Sequence, residues 1–113
     1  MTSQGSSYAR FRRAIDARQP AKAMAAASEL PKVSLADALE LCLLLAAVDN
    51  GGTYEAAARR WLERFAGERR ASLHEILMAG AALAELGRAP GSEVARDTLE
   101  QLLDPAGEGG PPR

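Results

Sequence analysis

The chain is predicted to be all-α, and three observations predict it. Its 113 residues are rich in Ala and Leu, only 4% are aromatic, and no run of alternating β-branched residues offers a strand. Apolar residues recur at i, i+3, i+4 and i+7, most clearly Leu41, Leu44, Leu45 and Val48, and again Ile76, Ala79, Gly80 and Leu83. Start and stop signals separate these stripes. Ser34 with Asp37, and Ser72 with Glu75, read as capping boxes, while Asn50-Gly51-Gly52 and Gly87 read as stops.

Taken in order, residues 1–6 are small and polar and are expected to be disordered. A first helix spans about 7–18, with Tyr8, Phe11 and Ile15 on one face. Gln19-Pro20 breaks it, and Pro20 suits the first turn of a second helix, 21–30, whose inner side is Ala23 and Ala27. Pro31 ends that helix. The third helix starts after Ser34 and is apolar on most sides, because Leu39 and Leu43 widen its stripe. Thr53 caps the fourth, where Ala57, between Tyr54 and Trp61, allows a close approach and Phe65 follows a turn later. Residues 67–71 form a charged connector. The fifth helix follows Ser72, and the sixth runs from the cap Ser92 to about Leu103, with Ala95, Leu99 and Leu102 inward. Asp104-Pro105 terminates it, and the Gly/Pro-rich tail 105–113 is expected to be disordered. The prediction is therefore one domain, 7–104, of three helical hairpins at about 7–30, 34–66 and 72–103.

The first apolar anchors of the odd-numbered helices, Tyr8, Leu41 and Ile76, recur at about 34 residues. The second unit carries Leu41, Leu44, Gly52, Tyr54, Ala57 and Trp61, and the third Ala79-Gly80, Leu83 and Gly87. On these residues the chain resembles the tetratricopeptide-repeat family, whose unit is helix, turn, helix. The resemblance covers roughly 7–104 and is densest in the middle unit. It implies three hairpins stacked side by side, with the odd helices lining a shared groove. A closed six-helix bundle from the same pairs is the alternative. The implied groove residues are Ala9, Arg13 and Asp16, then Cys42, Ala46 and Asp49, then His74, Leu77, Ala81 and Glu85. Small apolar residues in its middle and charges at its ends would suit a peptide or a short amphipathic helix.

The remaining chemistry is sparse. Fourteen basic against fifteen acidic residues leave a formal charge of -1, with no global pull toward nucleic acid or anionic lipid. Single Cys42 reads as an apolar filler and single His74 as a polar residue in a first helical turn, so neither a metal site nor a nucleophile is expected. Glu29, Glu40 and Asp49 have no converging acid, and Gly51-Gly52 lies between helices rather than after a strand. The expectation is a non-enzymatic interaction or adaptor protein without a cofactor. Its expected partner is a protein or peptide, or a further copy through the apolar end helix (Val94, Leu99, Leu102, Leu103). The alternative is a small regulatory protein contacting nucleic acid through Arg59, Arg60, Arg64, Arg69 and Arg70. A helix-turn-helix is disfavoured, because Ile76, Leu77, Leu83 and Leu86 make the would-be reading helix too apolar for a groove. No apolar leader or membrane-length run is read, which places the expected protein in the cytoplasm.

Overall fold

The structure, a computed structural model, describes residues 3–48 and 52–104. Within them every regular element is a helix: α1 (Ser3–Asp16), α2 (Pro20–Ser28), α3 (Leu35–Val48), α4 (Thr53–Glu68), α5 (Leu73–Arg88) and α6 (Glu93–Leu103). The expected tail 105–113 and the turn residues Asn50 and Gly51 lie outside the described residues. Local chemistry accounts for most boundaries. Ser72 Oγ accepts from the Glu75 amide at 3.1 Å while the Glu75 carboxylate accepts from the Ser72 amide at 2.8 Å, completing the capping box. Ser34 Oγ accepts from the Asp37 amide, and Ser92 Oγ from that of Ala95. Gly52, not Thr53, holds the cap position of α4. Helix α1 starts at Ser3, earlier than the expected residue 7. Ser7 is buried, and its hydroxyl donates to Glu29 at the C-terminal cap of α2, which fixes this turn against its neighbour.

Two helices end alike. Arg18 and Arg70 have φ of 58° and 51°, the left-handed conformation usual for glycine one residue past a helix. In both, paired bonds close the end: Gln19 N–H to Ala14 O with Arg18 N–H to Ile15 O, and Ala71 N–H to Ala66 O with Arg70 N–H to Gly67 O. Gly87, expected as a stop, lies inside α5. Its missing side chain admits the Tyr54 ring, because a Cβ there would meet Tyr54 Cε2 at 3.4 Å.

Consecutive helices pair as three hairpins, α1/α2, α3/α4 and α5/α6, and α3 touches every other helix. Contacts of α3 with α1 and with α5 follow a stacked arrangement, whereas α6 also folds against α3, as in a closed bundle. The main core spans α3 to α6 through Leu39, Cys42, Leu45, Trp61, Phe65, Leu83, Leu86 and Leu99. A smaller core of Phe11, Ala14, Ala23 and Ala26 lies inside α1/α2, and Leu41 borders both. Trp61 is 2% exposed, donates Nε1–H to Leu35 O at 2.9 Å and stacks on Phe65 at 5.3 Å. The buried small residue beside it is Ala58 rather than Ala57, which is half-buried. Similar one-residue shifts place Ala26 rather than Ala27, and Leu103 rather than Leu102, inside. Each of these helices also meets an element besides its hairpin partner, α2 and α6 meeting α3 and α4 meeting α5, and this turns the buried face away from the partner helix alone.

Candidate functional site

The structure scatters the residues expected to line one groove. Cys42 (3% exposed) and Ala46 lie inside the α3–α6 core, because the face of α3 that carries them is the one that α4, α5 and α6 cover. No open trough passes through Cys42, Ala46 only touches the floor of a cleft between α4 and α5, and Asp49 lies outside the described residues. Ala9 is exposed, while Arg13 and Asp16 line a separate hollow of about 720 Å³ between α1 and α2. The open arc of α3 is instead Leu43 and Ala47. They line a smaller hollow of about 500 Å³ with Ile15 of α1 and Arg96 of α6.

Four expected residues share the outside of α5. His74, Leu77 and Ala81 are exposed, and Glu85 is half-buried and paired with Arg88. Beside them opens a cleft of about 770 Å³ between α4 and α5. Its floor is small and apolar: Ala46 from α3, Ala58 and Leu62 from α4, and Gly80, Ala84 and Gly87 from α5. The Tyr54 ring closes its depth, with the hydroxyl donating to Leu83 O at 2.6 Å. Glu55 and Arg59, paired at 3.1 Å, and Arg88 stand on the rim. By helical spacing Leu73, Leu77, Gly80, Ala81 and Ala84 occupy one continuous strip of α5. Leu73 is 72% and Leu77 64% exposed, at the end of α5 away from Gly87. Sequence reasoning missed Leu62, Leu73, Gly80, Ala84 and Gly87 as site residues. The signal is present as small residues at i, i+4 and i+7 following two leucines, but Gly80 reads as part of the buried stripe and Gly87 as a stop.

The arginine cluster is divided by the fold. Arg64 donates to Val33 O at 2.7 Å and pairs with Glu68, Arg69 donates to Leu103 O at 2.6 Å, and Arg59 pairs with Glu55. Three of the five therefore staple helix ends or neutralise acids, and of the five only Arg60 and Arg70 make neither an ion pair nor a side-chain hydrogen bond among the described residues. Arg64 hydrogen-bonding holds Glu68 below the ordinary carboxylate range.

Titration behaviour elsewhere follows burial. Burial pushes the Cys42 thiol up to about 12, against a small opposing effect of Arg60, so the thiol stays protonated and unreactive. The Tyr54 hydroxyl is raised for the same reason, with Cys42 adding to it. Tyr8 is raised by desolvation and then by Asp37. Among the described residues no three His, Cys, Asp or Glu side chains are placed to hold a metal ion. None of the described helices is long and apolar enough to cross a membrane. No family model, curated protein or solved structure matches this chain.

Proposed function

We propose that the chain is a non-enzymatic protein-interaction module that docks a helix or peptide on its α4/α5 surface. The observation that carries this reading is the placement of Leu73 and Leu77, both largely exposed, beside a cleft floored by Ala58, Gly80, Ala84 and Gly87. One exposed leucine is ordinary, but two in adjacent turns next to an apolar hollow form a contiguous patch of the kind that marks interaction sites. Small residues admit a partner backbone closely, and Glu55, Arg59 and Arg88 supply a polar rim that fixes orientation. The likeness of the middle hairpin to the tetratricopeptide-repeat unit points the same way. The free, buried thiol of Cys42 fits a reducing compartment, and we take the cytoplasm as its place of action.

The test is a photo-activatable cross-linking residue at position 77, compared with one at exposed Gln101 on α6. A polypeptide captured at 77 and not at 101 is the expected result. Equal capture at both positions, or capture at neither, overturns the reading.

A further inference from the structure

We propose that Ser72 is a phosphate acceptor for an arginine-directed serine kinase, and that the phosphate sets a removable charge at the end of the α4/α5 surface. The acceptor site stands on its own observations, whereas its effect on docking rests on the surface proposed above.

Ser72 follows Arg69-Arg70-Ala71 and precedes Leu73. An arginine-directed kinase reads its substrate by this pattern: carboxylates take the guanidinium groups two and three residues before the hydroxyl, and an apolar pocket takes the residue after it. No other serine or threonine of the chain has arginine at both of those positions. The fold leaves the stretch open. Gly67, Glu68, Arg69, Arg70, Ser72 and Leu73 are exposed, and no residue from Gly67 to Met78 is buried. Ser72 already has the extended backbone that a kinase cleft takes, with φ -73° and ψ 164°. Little holds its neighbours. Arg70 makes neither an ion pair nor a side-chain hydrogen bond among the described residues, and its φ of 51° is strained for a residue with a Cβ. Arg69 keeps one exposed contact, to Leu103 O. The capping box opens with the first turn of α5, and helix ends open more easily than centres.

The transfer is a phosphoryl displacement. Ser72 Oγ bonds to the γ-phosphorus of ATP as the bond to the bridging oxygen breaks, ADP leaves, and the hydroxyl proton passes to a carboxylate of the kinase. The product carries close to two negative charges. They stand directly before Leu73, with Leu77 one turn further along α5. The Glu75 carboxylate, which accepts from the Ser72 amide at 2.8 Å, is repelled from that bond. An apolar partner lying over the two leucines then meets a hydrated dianion at their edge, which it must desolvate to stay.

The test is incubation of the full chain with ATP and, as probe, the catalytic subunit of cyclic-AMP-dependent protein kinase, read by intact mass and peptide mapping. One phosphate on Ser72 is expected, and none in Ser72→Ala. Arg69→Ala and Arg70→Ala should each lower kcat/KM at least about tenfold, as the loss of a charge-assisted hydrogen bond does. Replacing Arg59 and Arg60, the adjacent pair on α4, with alanine should leave it unchanged. A synthetic peptide of residues 65–77 serves as the unfolded reference. Phosphorylation of the peptide but not of the chain, phosphate on a different hydroxyl, or indifference to both Arg69→Ala and Arg70→Ala overturns the acceptor site. The cross-linking residue at position 77 tests the second claim, and capture there should be lost once Ser72 is phosphorylated. Equal capture before and after overturns the effect on docking and leaves the acceptor site standing. No capture even by the unmodified chain removes the docking surface itself, and the effect with it.

Discussion

Trp61 ties α4 to the start of α3 by packing and by a hydrogen bond at once. Its ring fills the space between α3 and α4, stacks on Phe65, and gives its one polar hydrogen to Leu35 O at the start of α3. Trp61→Ala should therefore destabilise the chain by about 3–5 kcal/mol, as large-to-small core changes do. Trp61→Phe, which keeps most of the apolar bulk, should lose about 1 kcal/mol through the missing hydrogen bond, plus a smaller packing term. Urea denaturation followed by circular dichroism measures both, and a loss under about 1 kcal/mol for the alanine variant would contradict the burial. The opposite sign is expected at Arg18. An L-residue with a side chain in the left-handed region is strained, and Arg18 is exposed, so Arg18→Gly should stabilise by about 0.5–1 kcal/mol. A lowered denaturation midpoint would mean that Arg18 makes a contact worth more than the strain.

At the scale of elements, α1/α2 is the separable part. It has its own small core, and it meets α3 through Ile15, Leu30, Val33 and Leu41 and through one polar clamp. That clamp is Arg12, whose guanidinium lies 3.1 Å from Asp37 and 3.0 Å from Glu40. Partial desolvation works against the Arg12 charge, yet Glu40 and Asp37 outweigh it and raise its affinity for the proton. The long Arg12 side chain thus reaches from α1 to two acids on α3. Hydrogen exchange should find α1/α2 opening at lower free energy than α3–α6, and Arg12→Ala should speed exchange in α1/α2 alone. Acid should act on the same hairpin. Hydrogen bonds from Arg10, and then from Ser7, hold Glu29 below its ordinary 4.5. That contribution is present above the ordinary value and is lost as pH falls through the lowered one. Glu29→Gln should remove this acid-side loss of protection, whereas an unchanged pH profile would assign it to other groups.

For the whole molecule, legibility divides between what is local and what is not. Caps at Ser34, Ser72 and Ser92 and the stripes on α3 and α5 are set by neighbours within a turn or two, so helix number and order were readable. Which side of α3 faces inward was not. Leu41 and Leu44 read as inward anchors widened by Leu39 and Leu43, with Cys42 and Ala46 left to a groove, but Cys42 and Ala46 are buried while Leu41 is only half-buried. That fact depends on α6 returning to α3 across a long stretch of chain, and no periodicity in either helix records it. The same return makes Cys42 a reporter of global opening. Helices α3 to α6 share one core around it, so no single hairpin can detach and expose the thiol without breaking that core. Labelling by a thiol reagent should then follow the free energy of opening of the whole α3–α6 unit. Trp61→Ala, at about 3–5 kcal/mol, should accelerate labelling by roughly two to four orders of magnitude. Arg12→Ala should leave the labelling rate nearly unchanged while it loosens α1/α2. Equal acceleration by both variants would show instead that the two cores open together, and that the chain unfolds as one cooperative body.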